Sequence, residues 1–351
     1  MVKRITVAEP TRESHRPKPT SRDVAALAGV SVATVSYVLN GRRDRRVGDA
    51  TRQRVLDAAA SLNYAPNQSA RDLRRRRTQR VCLVVGSIGV PTYDKLAEDL
   101  HAVADAAEYG VVTMVAGDAD RARKAIESLR QGIADGALIA TGDRVLAELS
   151  LESLAASAFP LVVLGNHVEA SGFDVSRFPE TAACERALRH LVDSGRRRIA
   201  FVGHRGDFDG TYRSERYGAY RSAVARHGLD ADESLVVAGA DDRVEGYRAV
   251  KALLALSAPP DAVFVASDRA AISAIWAARD AGLSVPRDLA VVGSGNLPDG
   301  LITNPPLTTV GPSRLDYSPA VRMLFSRIAS GQQLPGRTIT TDWTFIRRGS
   351  A

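Results

Sequence analysis

The side chains that most plainly carry chemistry in this sequence are arginines. Arg42, Arg43, Arg45 and Arg46 fall within five positions, and Arg74, Arg75, Arg76 and Arg77 are consecutive, with Arg71 just before them. Such runs repel themselves and call for a negatively charged partner. The first 80 residues hold 18 Lys and Arg against 7 Asp and Glu, a net +11, whereas the remaining 271 hold 29 against 33, a net −4. The overall +7 therefore joins a basic head to a mildly acidic body. That asymmetry is the footprint of a module that meets a polyanion. A basic tail that merely solubilises is the alternative reading.

Enzyme chemistry is poorly represented. His15, His101, His167, His190, His204 and His227 form no close ligand motif with one another, and Cys82 and Cys184 stand alone in apolar or helical contexts. A metal site needs such ligands to converge. No Gly-x-Ser-x-Gly elbow and no phosphate-cradling Gly-rich loop ending in Gly-Lys-Ser/Thr occurs. No cofactor or metal is predicted, and an enzyme is disfavoured. Two cysteines exclude a disulfide framework and fit a reducing cytosol. No run approaches 18 apolar residues and no secretory signal is read, so no membrane partner and a cytoplasmic location are expected. Aromatic residues are only 5%, which argues against large exposed aromatic platforms.

The elements that must position these residues follow from pattern. A length of 351 residues suggests two or three domains. Residues 1–19 lack apolar periodicity and read as a disordered extension. Thr20, with Asp23 three positions on, caps a first helix bearing Val24, Ala25, Leu27 and Ala28. Gly29 ends it and Ser31 caps a second, with Thr34, Val35, Val38 and Leu39. Asp49 caps a third over 50–62, with Val55, Leu56, Ala59 and Leu62 on one face. Residues 68–77 are compatible with a helix, but a ten-residue helix is marginal alone.

From residue 81 short apolar runs alternate with amphipathic helices. Strands are predicted at 81–85, 111–115, 136–139, 161–164, 199–202, 235–237, 262–265 and 289–292, with helices at 95–108, 122–130, 180–192, 217–226, 244–256 and 270–281. This is an α/β pattern with parallel sheets covered on both faces. Two doubly wound lobes are preferred to a single (β/α) barrel. The polar stretch 167–178 is the expected crossover between lobes, and 293–310 the expected return. The predicted divisions are an extension (1–19), an all-helical unit of three short helices (20–66), a basic, helix-compatible linker (67–80) and a core (81–351). The core lobes are expected at about 81–165 plus 294–327 and about 172–292 plus 328–351.

Residues 20–77 resemble the DNA-binding headpiece of the LacI family of bacterial transcription regulators. The matching blocks are Asp23-Val24-Ala25, Ala28-Gly29-Val30-Ser31, Thr34-Val35-Ser36-Tyr37-Val38-Leu39-Asn40, Leu62-x-Tyr64-x-Pro66-Asn67 and Ala70-Arg71-x-Leu73. The body extends the likeness through Ser267-Asp268-x-x-Ala271, Gly282-Leu283-x-Val285-Pro286-x-Asp288 and Thr308-Thr309-Val310. The resemblance makes 20–66 a helix-turn-helix headpiece and 67–80 a hinge helix and linker, and it implies a periplasmic-binding-protein-like core, a homodimer, double-stranded operator DNA as partner, and an effector in the cleft between lobes.

It further implies a residue-level division of labour. Val32, Ala33 and Tyr37, on a helix that starts at Ser31, are placed at base edges in the major groove. Tyr37 stands where many relatives have Arg, so selectivity there must differ. Thr34, Ser36 and Asn40 are placed at phosphates. In the hinge, Leu73 is placed as a minor-groove wedge, with Asn67, Ala70, Arg71 and Arg74 beside it. In the cleft, Asp268 and Arg216 are placed to bracket vicinal hydroxyls, which favours a sugar or polyol. Tyr93 is expected to replace a stacking aromatic, and Phe208 to supply an apolar wall. Val90-Pro91-Thr92-Tyr93 and Gly293-Ser294-Gly295-Asn296 depart from the family's usual residues, so the pocket is expected to be unusual or not a sugar site. Release of a repressor by an inducer is the expected sign; tightening by a corepressor and ligand-independent regulation are the alternatives.

Overall fold

The computed structural model describes residues 19–39, 47–65, 77–208 and 214–351. The chain divides into two compact units, residues 1–76 and 77–351. The predicted extension, Asn40, and the hinge positions Asn67, Ala70, Arg71, Leu73 and Arg74 lie outside the described residues, apart from Pro19 at the end of the extension.

Among the described residues of the first unit three helices form, α1 (Ser21–Ala28), α2 (Val32–Leu39) and α3 (Asp49–Ser61). The Thr20 amide and hydroxyl both donate to Asp23 Oδ2, at 2.7 and 2.8 Å, closing the capping box at the start of α1. Gly29 ends α1 at φ 63°, a left-handed backbone that costs glycine nothing. Ser31 Oγ accepts the Thr34 amide at 3.1 Å and so caps α2. Val24, Val35 and Val55 centre the core, with Ala25, Ala28, Val38, Ala58 and Ala59 around them.

Three readings of this unit change. Leu27 and Leu56, expected on the apolar faces, are 58% and 42% exposed. Alanines let the helices approach closely, and the two leucines fall outside that contact. Gly48, not Asp49, is the N-cap of α3. Asp49 is the first helical residue, where its carboxylate still complements the helix dipole.

The second unit contains two six-stranded sheets, which settles the architecture in favour of two lobes over one barrel. The first sheet has the order β11-β5-β4-β3-β1-β2, with β1 Arg80–Val85, β2 Gly110–Val115, β3 Ala137–Ala140, β4 Leu161–Leu164, β5 Asp174–Arg177 and β11 Thr338–Thr340. All its pairings are parallel. The second has the order β12-β10-β9-β8-β6-β7, with β6 Ile199–Gly203, β7 Val236–Ala238, β8 Ala262–Val265, β9 Ala290–Ser294, β10 Thr308–Pro312 and β12 Trp343–Ile346. Only β10 and β12 pair antiparallel there. The eight predicted strands are all present, and apolar residues of both faces are buried, as parallel sheets require.

The helices used below are α4 (Pro91–Ala106), α5 (Ala119–Arg130), α6 (Asp143–Ala147), α7 (Leu151–Ala155), α8 (Thr181–Asp193), α9 (Glu215–His227), α10 (Arg243–Leu254), α11 (Asp268–Asp280) and α12 (Ser318–Ser330). The lobe boundaries differ from those expected. The stretch 167–178 contains β5, a strand of the first sheet. The return does not occur within 293–310, because β10 stays in the second sheet. The chain instead crosses after β5, between β10 and α12, and between β11 and β12. Strand β5 escapes an apolar search because its first residue is a buried charge. Asp174 is fully buried, accepting from Arg327 Nη2 at 2.6 Å, Arg337 Nη2 at 2.7 Å and the Arg337 amide at 2.9 Å. Arg327 lies on α12 and Arg337 directly precedes β11, so the pair ties both elements to β5 of the first lobe. Strand β10 is hidden similarly: Thr308 and Thr309 are fully buried, and their polar groups bond Ser350 and Asp268.

Candidate functional site

Two places carry the side chains singled out by the sequence, and each belongs to a different unit. In the first unit α1 and α2 meet at 102°, the angle of a helix-turn-helix. Val32 is 41% exposed, so it does not fill the core. Ala33 is exposed, while Thr34, Ser36 and Tyr37 are half-buried. Val35 and Val38, on the other face, are buried. The 3.6-residue period thus splits α2 into an anchoring stripe and an outward stripe that begins at its N-terminal turn. Ser31 is exposed and engaged in the cap.

In the second unit a cavity of about 220 Å³ lies between the lobes, at the C-terminal ends of the strands. That is where open parallel sheets gather ligand-binding loops. From the first lobe come Thr92 and Tyr93 at the start of α4, Thr141 and Asp143 after β3, and Asn166 after β4. The second lobe contributes Arg216 in the first turn of α9, Gly295 after β9 and Trp343 at the start of β12. Phe178, Glu180 and Tyr317 lie on the crossing segments. Phe178 and Tyr317 meet edge to face, with ring centroids 5.7 Å apart.

Arg216 is the most constrained of these. Its Nε donates to Glu180 Oε2 at 2.7 Å, its Nη1 to the Ala266 carbonyl at 2.6 Å, and its guanidinium lies 5.3 Å from the Trp343 ring centroid. Burial pushes the Glu180 carboxyl above the usual range, against the pull of Arg216. The Glu180 charge in turn holds Arg216 protonated. Burial, with the Asp143 charge, raises the Tyr93 phenol, which stays neutral and able to donate.

Other bonds join the lobes. Asn166 Nδ2 donates to Glu215 Oε1 at 2.8 Å and to the Phe178 carbonyl at 2.9 Å. Glu215 Oε2 also accepts from the Glu180 and Thr181 amides, both at 2.9 Å. Away from these crossings, Arg269 Nη1 of α11 donates to the Gly89 carbonyl of the first lobe at 2.9 Å.

The four expected cleft residues separate. Tyr93 and Arg216 line the cavity. Asp268 does not: it is fully buried, its Oδ2 accepts the Leu297 amide at 2.7 Å and its Oδ1 the Thr309 hydroxyl at 2.6 Å. Instead of bracketing a ligand opposite Arg216, it ties α11 to the β9–β10 region. Burial pushes its carboxyl up to about 6. Phe208 packs against Phe201 and Tyr217 and is likewise outside the lining. Asp143 and Asn166 could have been found, since they lie four and two positions beyond the ends of predicted strands. Glu180 and Trp343 had no such signal, because they sit at a crossing and on a strand that apolar runs do not mark. Among the described residues no cluster of three or more His, Cys, Asp or Glu is arranged to hold a metal ion. No single helix among them is long and apolar enough to cross a membrane.

Comparison with known proteins agrees with both halves. Residues 20–67 match the family described as bacterial regulatory proteins, lacI family, and residues 188–351 match a periplasmic binding protein-like domain. The HTH-type transcriptional regulator DegA of Bacillus subtilis (strain 168) is 33% identical over 297 residues, covering 84% of this chain and 86% of DegA. Catabolite control protein A of Staphylococcus xylosus is 31% identical over 289 residues, covering 82% and 85%. Among solved structures, the transcriptional regulator CelR–cellobiose complex is 29% identical with a TM-score of 0.64, covering 95% of this chain and all of that one. The operator-bound lac repressor dimer has a TM-score of 0.73 at 23% identity, covering 95% and 99%, and so shares the fold. With a helix-turn-helix ahead of two parallel-sheet lobes, and with relatives above 30% identity along most of its length, the chain belongs to the LacI family of DNA-binding transcription regulators.

Proposed function

We propose that this regulator is a cytoplasmic repressor without enzymatic activity, binding a near-palindromic operator as a homodimer and released from it by a small hydroxyl-bearing effector, a sugar or polyol. The observation that carries the effector half is the cavity between the lobes. Its Arg216–Glu180 pair sets donors and acceptors side by side, and Tyr93, Phe178 and Trp343 add apolar faces. Hydroxyl groups on a carbon ring suit that combination, because each can donate and accept. Relatives supply the same direction: one solved member is a cellobiose complex, another holds sucrose, and one curated relative is a ribose operon repressor.

For DNA, Val32, Ala33 and Tyr37 reach base edges, while Ser31, Thr34, Ser36 and Asn40 hold phosphates. Leu73 wedges the central base step, supported by Asn67, Ala70, Arg71 and Arg74. Self-association has support in exposed apolar side chains of the second lobe, Val244, Trp276, Leu301 and Ile302, together with Ile88 of the first. Effector and DNA are then coupled by linkage, since a ligand that favours one lobe arrangement shifts the DNA-competent population.

Selection from random duplexes tests the operator half: two inverted half-sites are expected, and recovery of asymmetric or sequence-independent sites overturns it. Leu73→Ala is expected to lose specific affinity while salt-dependent non-specific binding survives. A thermal-shift screen of sugars and polyols, followed by operator binding in the presence of each hit, tests the effector half. A ligand that tightens operator binding makes the protein a corepressor-dependent regulator; one that leaves it unchanged removes the effector from regulation.

A further inference from the structure

We propose that Glu180 sets the charge class of the effector: paired with Arg216, it makes the cavity accept uncharged polyhydroxyl ligands and refuse their phosphorylated or carboxylated counterparts. The inference rests on the reading of the cavity as an effector site. A guanidinium lining a cleft is ordinarily a receptor for phosphate or carboxylate, because its N–H groups form a fork that matches two oxygens. Here one edge of that fork is already taken by a carboxylate of the protein, at 2.7 Å, and a second donor by the Ala266 carbonyl, at 2.6 Å. Glu180 itself is only 9% exposed, so solvent screens its charge weakly.

An anion arriving at Arg216 therefore meets Glu180 at close range. It would have to displace that partner or share the site with a like charge. The wider lining points the same way, since among the described residues its charged side chains are Asp143, Glu180 and Arg216, two acids and one base. A hydroxyl faces no such conflict. It can accept from the guanidinium and donate to the carboxylate at once, which an ionised phosphate or carboxylate cannot do. Specificity of this kind works by repelling the wrong ligand as much as by holding the right one.

The pair is placed to do this by the fold. Glu180 ends the segment that crosses from β5 to α8, and Arg216 is the second residue of α9. The Glu180 amide donates to Glu215 Oε2 at 2.9 Å, so the backbone carrying the carboxylate is fixed to the residue before Arg216. The carboxylate is thus positioned from both sides of the ion pair.

The test uses the full chain and matched probes in calorimetric titration: glucose with glucose 6-phosphate and gluconate, ribose with ribose 5-phosphate, and cellobiose with cellobionate. Any neutral sugar that binds the wild type is expected to do so at least ~10-fold more tightly than its anionic counterpart. In Glu180→Gln that gap is expected to narrow by at least ~10-fold, through a gain in the anion's affinity. An anionic probe that binds the wild type as well as its parent overturns the proposal, and so does an unchanged gap in a folded Glu180→Gln. Glu180→Asp keeps the charge and is expected to keep the wild-type preference. Should Glu180→Gln not fold, a lost preference in Glu180→Asp, or none in the wild type, overturns the proposal. If no probe binds either protein, the hydroxyl-effector reading itself fails, an outcome distinct from binding without charge discrimination.

Discussion

The outward stripe of α2 and the cavity between the lobes handle functional side chains in opposite ways. On α2, Val32 and Ala33 are exposed, and the helix is held by residues on its other face. In the cavity Arg216 and Glu180 are each other's partner, and Asp268 behind them is completely buried. On α2, then, the side chains proposed to read DNA are not those that anchor the helix, while in the core the side chains proposed to meet an effector are also bonded to one another. Substitutions should therefore change α2's function at little cost in stability, whereas substitutions around the cavity should change both.

The largest expected effect is at the ion pair. Arg216→Ala leaves the Glu180 carboxylate poorly solvated without its partner, and should cost about 3–4 kcal/mol in urea unfolding as well as the binding of any neutral effector. A loss below about 1 kcal/mol would mean that Glu180 is effectively solvated, and the contrast with α2 would collapse.

Next comes pH. The Asp268 carboxyl is raised from 3.8 to about 6, so the folded protein holds that proton more tightly than the unfolded chain does. Its contribution to stability is full below pH about 4 and is lost as pH rises through about 6. A change of about 2–3 kcal/mol from this group is expected between pH 4 and 7. Asp268→Asn should remove that part of the pH profile, since an amide can keep bonds to the Leu297 amide and the Thr309 hydroxyl. An unaltered profile would show that Asp268 titrates normally.

Arg269→Ala removes the bond to the Gly89 carbonyl, and about 1 kcal/mol is expected, with faster hydrogen exchange around residues 86–90. Unchanged exchange there would show that this bond does not restrain the lobes. Smallest in stability is Tyr37→Arg, which should stay within about 0.5 kcal/mol of wild type and yet alter half-site preference in competition binding. A change in stability without a change in preference would place Tyr37 among the anchoring residues of α2.

How much of this was legible beforehand depended on how local the cause was. The capping box at Thr20 and Asp23 and the stop at Gly29 act over three or four residues, and both were readable. Eight strands were readable as short apolar runs, six of them buried on both faces and the edge strands β2 and β7 partly exposed. Strand β5 was not, because Asp174 is buried only by virtue of Arg327 and Arg337, more than 150 positions away. Leu27 and Leu56 misled for a related reason: periodicity marks an apolar face, but helix-to-helix distance decides which residues on it are covered.

The cavity shows the same division more sharply. Sequence alone determined the family, the helix-turn-helix, the parallel two-lobed class and the presence of Tyr93 and Arg216 near strand ends, since each follows from short-range pattern and matched motif. Only tertiary structure decided that Arg216 meets Glu180 rather than Asp268, and that Trp343 lies beneath it. Those partners are brought in by segments that cross between the lobes. Which charge neutralises which is set by a few ångströms in space, and no spacing along the chain encodes it.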